Sequence, residues 1–191
     1  MAAVLDKFIQ IMDENDLQPK DIDSIKAQPH PIGQFSFANG SANTLRSWDD
    51  YCFNGRYLLS CAAHRINPAY WHNPEVRNDP KIHEYMEWLA PKLTVVIDEG
   101  DFARTKREDP RTYMGKIEVV AKGMTFKETG PHPKGGWYED ELRNTDEELI
   151  KKFTDNSSRV LSTDQAAKAA QAILGLEKID NVATLLKLVS S

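Results

Sequence analysis

The stretch Lys116-Ile-Glu-Val-Val-Ala-Lys122 decides the fold class. Ile117, Val119 and Ala121 alternate with Glu118 and Val120. A period of two places the first set on one face of a β-strand. Met124-Thr-Phe126 extends the strand after Gly123, and Leu93-Thr-Val-Val-Ile97 reads as a second, short and buried strand. So small a sheet is stable only with helices packed on it. The expected class is therefore α+β: mostly helical, with a small central antiparallel sheet of two or three strands.

Helical patterns fill the rest. Val4, Leu5, Phe8, Ile9, Ile11 and Met12 recur at three- and four-residue steps, predicting a helix over 2–15. Pro19 to Ile25 reads as one further short turn of helix, and the two prolines of Gln28-Pro-His-Pro-Ile-Gly33 force extended backbone after it. Residues 44–66 give the clearest helix, with Leu45, Trp48, Cys52, Leu59, Ala62 and Ile66 in one stripe and Gly55 in its middle. Asp79-Pro80 starts another helix, through Ile82, Tyr85, Met86 and Leu89. Thr145-Asp-Glu-Glu148 and Ser162-Thr-Asp-Gln165 are capping boxes for helices near 146–155 and 163–174, and Asp180 is the expected cap of a last helix through Val189. The loop Thr129–Gly136 suggests a main body over 1–130 and a C-terminal helical segment over 131–191, either separate or continuous as one domain.

Composition bounds the function. The chain has 191 residues, 40% hydrophobic and 28% charged, and a net charge of -5. These values fit a globular protein and disfavour a coat that holds nucleic acid by charge alone. Cys52 and Cys61 lie in one predicted helix, separated by roughly 13 Å of rise. A disulfide needs Cα atoms within about 7 Å. Reduced thiols and a cytoplasmic setting are expected. No apolar run is long enough to cross a bilayer, and the N-terminus lacks a signal-peptide pattern.

One local oddity stands out. His64-Arg-Ile-Asn-Pro-Ala-Tyr-Trp-His-Asn-Pro-Glu75 packs prolines, asparagines, histidines and two large aromatics into a loop. Tyr70 and Trp71 need burial or a flat partner there. The histidines His64, His72 and His83 lack the three- or four-residue spacing of ligands that share a helix face. The turn Asp98-Glu-Gly-Asp101 follows a strand, where divalent cations are often held. The same residues are ordinary turn formers. Arg104, Lys106, Arg107 and Arg111 make the main basic concentration, with Tyr113 placed to stack on a base. Gly135-Gly136 precedes Trp137-Tyr138 rather than a phosphate-loop Lys-Ser or Lys-Thr, so Trp137 reads as a docking anchor or contact residue.

No reaction motif emerges, and no cofactor is expected. By elimination, the sequence favours a non-enzymatic interaction or assembly protein: a viral or phage coat-like or nucleocapsid-like subunit. It would self-associate, bind a protein partner or contact nucleic acid through Arg104, Lys106, Arg107, Arg111, Tyr113, Tyr70, Trp71 and Trp137. The alternative is a metal-dependent hydrolase in which Asp98, Glu99 and Asp101 hold an ion with a histidine such as His72.

Overall fold

The computed structural model describes residues 2–31, 44–108, 114–130, 132–136 and 139–190. They form two compact units, Met1–Arg143 and Asn144–Ser191.

The first unit opens with α1 (Ala2–Glu14), which buries Val4, Leu5, Phe8, Ile11 and Met12 along one stripe. The expected turn of helix after Pro19 is a 3-10 turn over Pro19–Asp21 only. From Ile22 the chain is extended, as β1 (Ile22–Gln28). Ile22 and Ile25 are three apart, a helical spacing, yet both are buried. A register irregularity between Ile22 and Ser24 explains this, because one extra residue returns both isoleucines to the same face.

Residues 44–66 are two helices rather than one. α2 (Trp48–Cys52) starts at a capping box on Ser47 and stops at Phe53. Asn54 then caps α3 (Gly55–Ala63) by accepting from the Tyr57 N–H. Gly55 is thus the first residue of a helix, where its flexibility costs little. α4 (Pro74–Arg77) and α5 (Pro80–Leu89) both begin with proline, and Asp79 caps α5 through the Lys81 N–H.

β2 (Leu93–Val95) pairs parallel with β1. α6 (Glu99–Glu108) follows in place of the expected acidic turn. β3 (Gly115–Ala121) and β4 (Met124–Gly130) form a hairpin. Lys122 and Gly123 both have positive φ, +51° and +74°, which a tight two-residue hairpin turn requires. Met124–Phe126 therefore starts a fourth strand instead of prolonging β3. The sheet has four strands in the order β2-β1-β3-β4, with one parallel pair. The expectation of a small sheet among helices holds in its coarse form. The strand number and the wholly antiparallel pairing do not. The missing strand was β1, hidden by its irregular register.

α1 packs on β3 and β4 and on α3, and α3 packs on α5. Ile25, Ala27, Ile117, Val119 and Ala121 supply the sheet side of this core. The opposite face is polar: Lys26, Glu118 and Lys127 align across β1, β3 and β4.

The second unit holds α7 (Asp146–Ser157), α8 (Thr163–Leu174) and α9 (Val182–Val189). Thr145 and Ser162 make the expected capping boxes. Asn181, not Asp180, caps α9. α8 packs against both neighbours and buries Ala166, Ala169 and Ala170. None of the described helices is long and apolar enough to cross a membrane.

α1 approaches β3 most closely at Gly115. A Cβ there would lie 2.7 Å from the Val4 nitrogen, a backbone atom that cannot swing aside. Gly115→Ala should lower stability by about 1–3 kcal/mol, the usual cost of overpacking, read as an earlier midpoint in urea denaturation.

Candidate functional site

The break between α2 and α3 brings several reactive side chains together. It sets the Tyr51 ring edge-on to Tyr57, with centroids 4.9 Å apart. Tyr57 is fully buried, and its hydroxyl donates to the Trp71 carbonyl. The Trp71 indole N–H donates to the Ile66 carbonyl at 2.7 Å. Trp71 is 7% exposed. It is the core anchor of the proline-rich loop, not an outward contact.

His72 follows directly and is held beside Cys52. The Cys52 Sγ lies 3.6 Å from Nδ1 and 3.8 Å from Nε2. Trp48 meets the His72 ring edge-on at 5.6 Å. Arg77, at the end of α4, sets its guanidinium 5.6 Å from the Tyr51 ring centroid. His83 donates from Nε2 to the Arg77 carbonyl at 2.6 Å and stacks on Tyr51. The Arg77 Nε is buried without a hydrogen-bond partner, and Arg77 makes no ion pair among the described residues. A buried donor without a partner leaves part of its desolvation cost uncompensated.

The charges fall in one pattern. Burial lowers the His72 pKa, and the Arg77 charge lowers it further. Burial raises the Cys52 pKa, as does Asp49, against an opposing pull from Arg77. The pair is therefore a thiol beside a neutral imidazole, not a thiolate–imidazolium nucleophile. Burial pushes the Cys61 thiol up to about 12, so it is inert. Both cysteines are free. A neutral imidazole can accept a proton, and an unpaired guanidinium can bind a carboxylate in fork geometry. Trp48, 54% exposed, offers apolar surface beside His72.

The other candidates settle elsewhere. Tyr70 lies half-buried in a 3-10 turn over Pro68–Tyr70. His64 packs edge-on against Tyr85, so the three histidines do not meet in one cluster. Asp98 caps the start of α6 by accepting from the Asp101 N–H at 2.8 Å. Asp101 accepts from Gln28 at 3.2 Å and pairs with Arg104 and Lys116, pinning α6 to the sheet. Its pKa is lowered, chiefly by the Lys116 hydrogen bond. Among the described residues no three His, Cys, Asp or Glu side chains are placed to hold a metal. Lys106 is half-buried on α6 and Arg107 is exposed. Arg111, Tyr113 and Trp137 lie outside the described residues. Sequence reasoning missed Arg77 and the Cys52–His72 contact. Nothing in Pro74-Glu-Val-Arg77 distinguishes that arginine from a solubilising one.

Residues 1–178 match the MmgE/PrpD C-terminal domain, and the chain belongs to that family. No curated protein matches the chain. The family comprises enzymes, dehydratases of the 2-methylcitrate dehydratase kind. This overturns the expectation of a viral or phage structural subunit that contacts nucleic acid, and equally the metal-dependent hydrolase. The inference failed because it took the lack of a short reaction motif as evidence against catalysis. The side chains that meet around Cys52, His72 and Arg77 are scattered along the sequence and gathered only by folding.

Two outcomes follow from these contacts. Trp71→Ala should cost about 3–5 kcal/mol, measured by chemical denaturation. The second concerns pH. The folded His72 ring holds its proton less tightly than an ordinary imidazole near 6.5. Below that value the unfolded chain takes up a proton that the folded chain resists, so stability falls with pH. His30 is shifted in the same direction, chiefly by burial. The thermal midpoint should drop from about pH 7 to about pH 5, and His72→Asn should flatten that slope without abolishing it.

Proposed function

We propose that this chain serves a dehydratase acting on a hydroxy carboxylic acid, with Arg77 anchoring a carboxylate and His72 acting as general base. Family membership across residues 1–178 supports the reaction class. The observation that carries the site is Arg77, whose buried Nε has no hydrogen-bond partner, close enough to His72 to depress its pKa.

Dehydration removes a proton from the carbon next to a carboxylate and expels hydroxide from the neighbouring carbon. The electron pair of the broken C–H bond becomes the new carbon–carbon double bond. The hydroxide takes a proton from an acid and leaves as water. A base for the first step must be unprotonated near neutral pH. Burial and Arg77 keep His72 in that form. The Arg77 fork would hold the carboxylate that acidifies the C–H bond and would stabilise the charge that develops there. Cys52 would position the His72 ring rather than attack, since its thiol is held neutral. Self-association belongs to the same reading, supported by the common oligomerisation of the family.

The test uses the whole protein with 2-methylcitrate as probe, following the ultraviolet absorbance of the new double bond. His72→Gln should reduce kcat at least about 100-fold. Arg77→Met should mainly raise KM, by about tenfold or more. Both variants should keep the wild-type denaturation profile at neutral pH. Turnover unaffected in the folded His72→Gln protein would remove His72 from the mechanism. Binding unaffected by Arg77→Met would remove the carboxylate anchor.

A further inference from the structure

The two edges of the sheet differ. β2, at one edge, is three residues long, and so short a strand offers little to pair with. β4, at the other, is seven residues long and contains no proline. It keeps one unbroken register with β3, from the pair Gly115–Gly130 to the pair Ala121–Met124. The tight turn at Lys122 and Gly123 makes Ala121 and Met124 a hydrogen-bonded pair. Alternation from there turns the backbone N–H and C=O groups of Thr125, Lys127 and Thr129 away from β3. Among the described residues these groups have no other hydrogen-bond partner. The side chains of the same three residues are exposed.

An edge that must stay single is normally guarded by a bulge, a proline or a lysine reaching outward. β4 has neither of the first two. Its lysine, Lys127, is drawn back across the sheet, with its ammonium 2.8 Å from the Glu118 carboxylate on β3. Phe126 and Glu128 pair with Val119 and Ile117, so they share the α1-covered face. Phe126 is half-buried there, against the rim of the core.

The strand's own charges select a second copy as its partner. A two-fold axis perpendicular to the sheet sets β4 antiparallel to the other copy's β4 and keeps both α1-covered faces on one side. Three registers leave most of β4 paired, centred on Phe126, Lys127 or Glu128. The second sets lysine against lysine, and the third sets glutamate against glutamate; like charges directly opposite destabilise a sheet. The first sets Phe126 against its own copy, Thr125 against Lys127, and Met124 against Glu128. No like charges meet, and the half-buried rings cover each other at the closer, non-hydrogen-bonded spacing. Each Thr125–Lys127 pair exchanges backbone hydrogen bonds through the outward groups. We propose that this protein forms a two-fold dimer through the β4 edge with Phe126 at the axis, joining two four-stranded sheets into one. The inference rests on the self-association in the reading above and names its surface.

The test is light scattering after size exclusion over a range of concentrations, followed by cross-linking. The wild-type protein should reach twice the mass of one chain. Thr125→Pro removes an outward N–H and leaves the bonds to β3 in place. It should weaken the dimer about tenfold or more while keeping the wild-type circular dichroism. Under a mild oxidant, Phe126→Cys should link two chains, whereas Lys127→Cys and Glu128→Cys should not, because only position 126 faces its own copy within disulfide reach. Should Thr125→Pro fail to fold, the cross-linking pattern decides alone. A protein that stays monomeric throughout overturns the proposal. So does a dimer that survives Thr125→Pro and gives no Phe126→Cys link; self-association then stands, but not through this edge. None of these readouts involves His72 or Arg77, so a failure here is distinct from a failure of the proposed dehydratase site.

Discussion

Trp71 is held at both ends of its residue, and the arrangement of reactive groups depends on that. Its indole N–H is bound to Ile66 behind it, and its carbonyl receives the buried Tyr57 hydroxyl. The first contact closes the loop on its own start. The second ties the loop to α3. His72 has little freedom left after that, and Cys52 and Trp48 stand against it as a result. A proline-rich loop is ordinarily variable and mobile. Here two hydrogen bonds and an indole in the core turn it into a rigid support for one imidazole and, five residues on, one guanidinium.

That support explains how reactive groups can gather without a motif. Cys52, His72, Arg77 and His83 come from separate helices and a loop, and each is ordinary in its own sequence context. What distinguishes them is a shared environment. Burial strips water from the imidazole and the thiol, and Arg77 brings a charge that makes no ion pair among the described residues. Around Arg104 the charges pair instead: Asp101 accepts from Arg104 within α6 and from Lys116 on β3, and the Lys116 contact ties α6 to the sheet.

Local signals in the sequence were readable wherever local chemistry decided the outcome. The capping boxes at Thr145 and Ser162, the proline start of α5 and the stripe on α1 all lie close to where they were expected. Signals failed where a tertiary choice overrode the pattern. β1 was hidden because an irregular register gave its isoleucines a helical spacing. The stripe over 44–66 ran on unbroken, but Asn54 found a better use as a cap than as a helix interior residue. Asp98 was legible as a turn former but not as the first residue of a helix cap. The site was legible only as an odd loop, since the contacts that give it meaning join residues twenty positions apart or lie on different elements.

The strand order has a consequence for how the chain acquires its shape. β1 occupies the interior of the sheet, yet both its neighbours come much later: Ile25 pairs with Leu93 on one side and with Val119 on the other. Only β3 and β4 can pair as soon as they are made. During synthesis, β1 and the apolar stripe of α1 must wait, with both backbone edges of the strand unpaired, until the hairpin emerges. Pairings so distant in sequence close slowly and leave apolar surface open to other chains in the interval. The β3–β4 hairpin is thus the natural template onto which the first part of the chain is laid, and chains stalled short of Gly130 are the ones most exposed to aggregation.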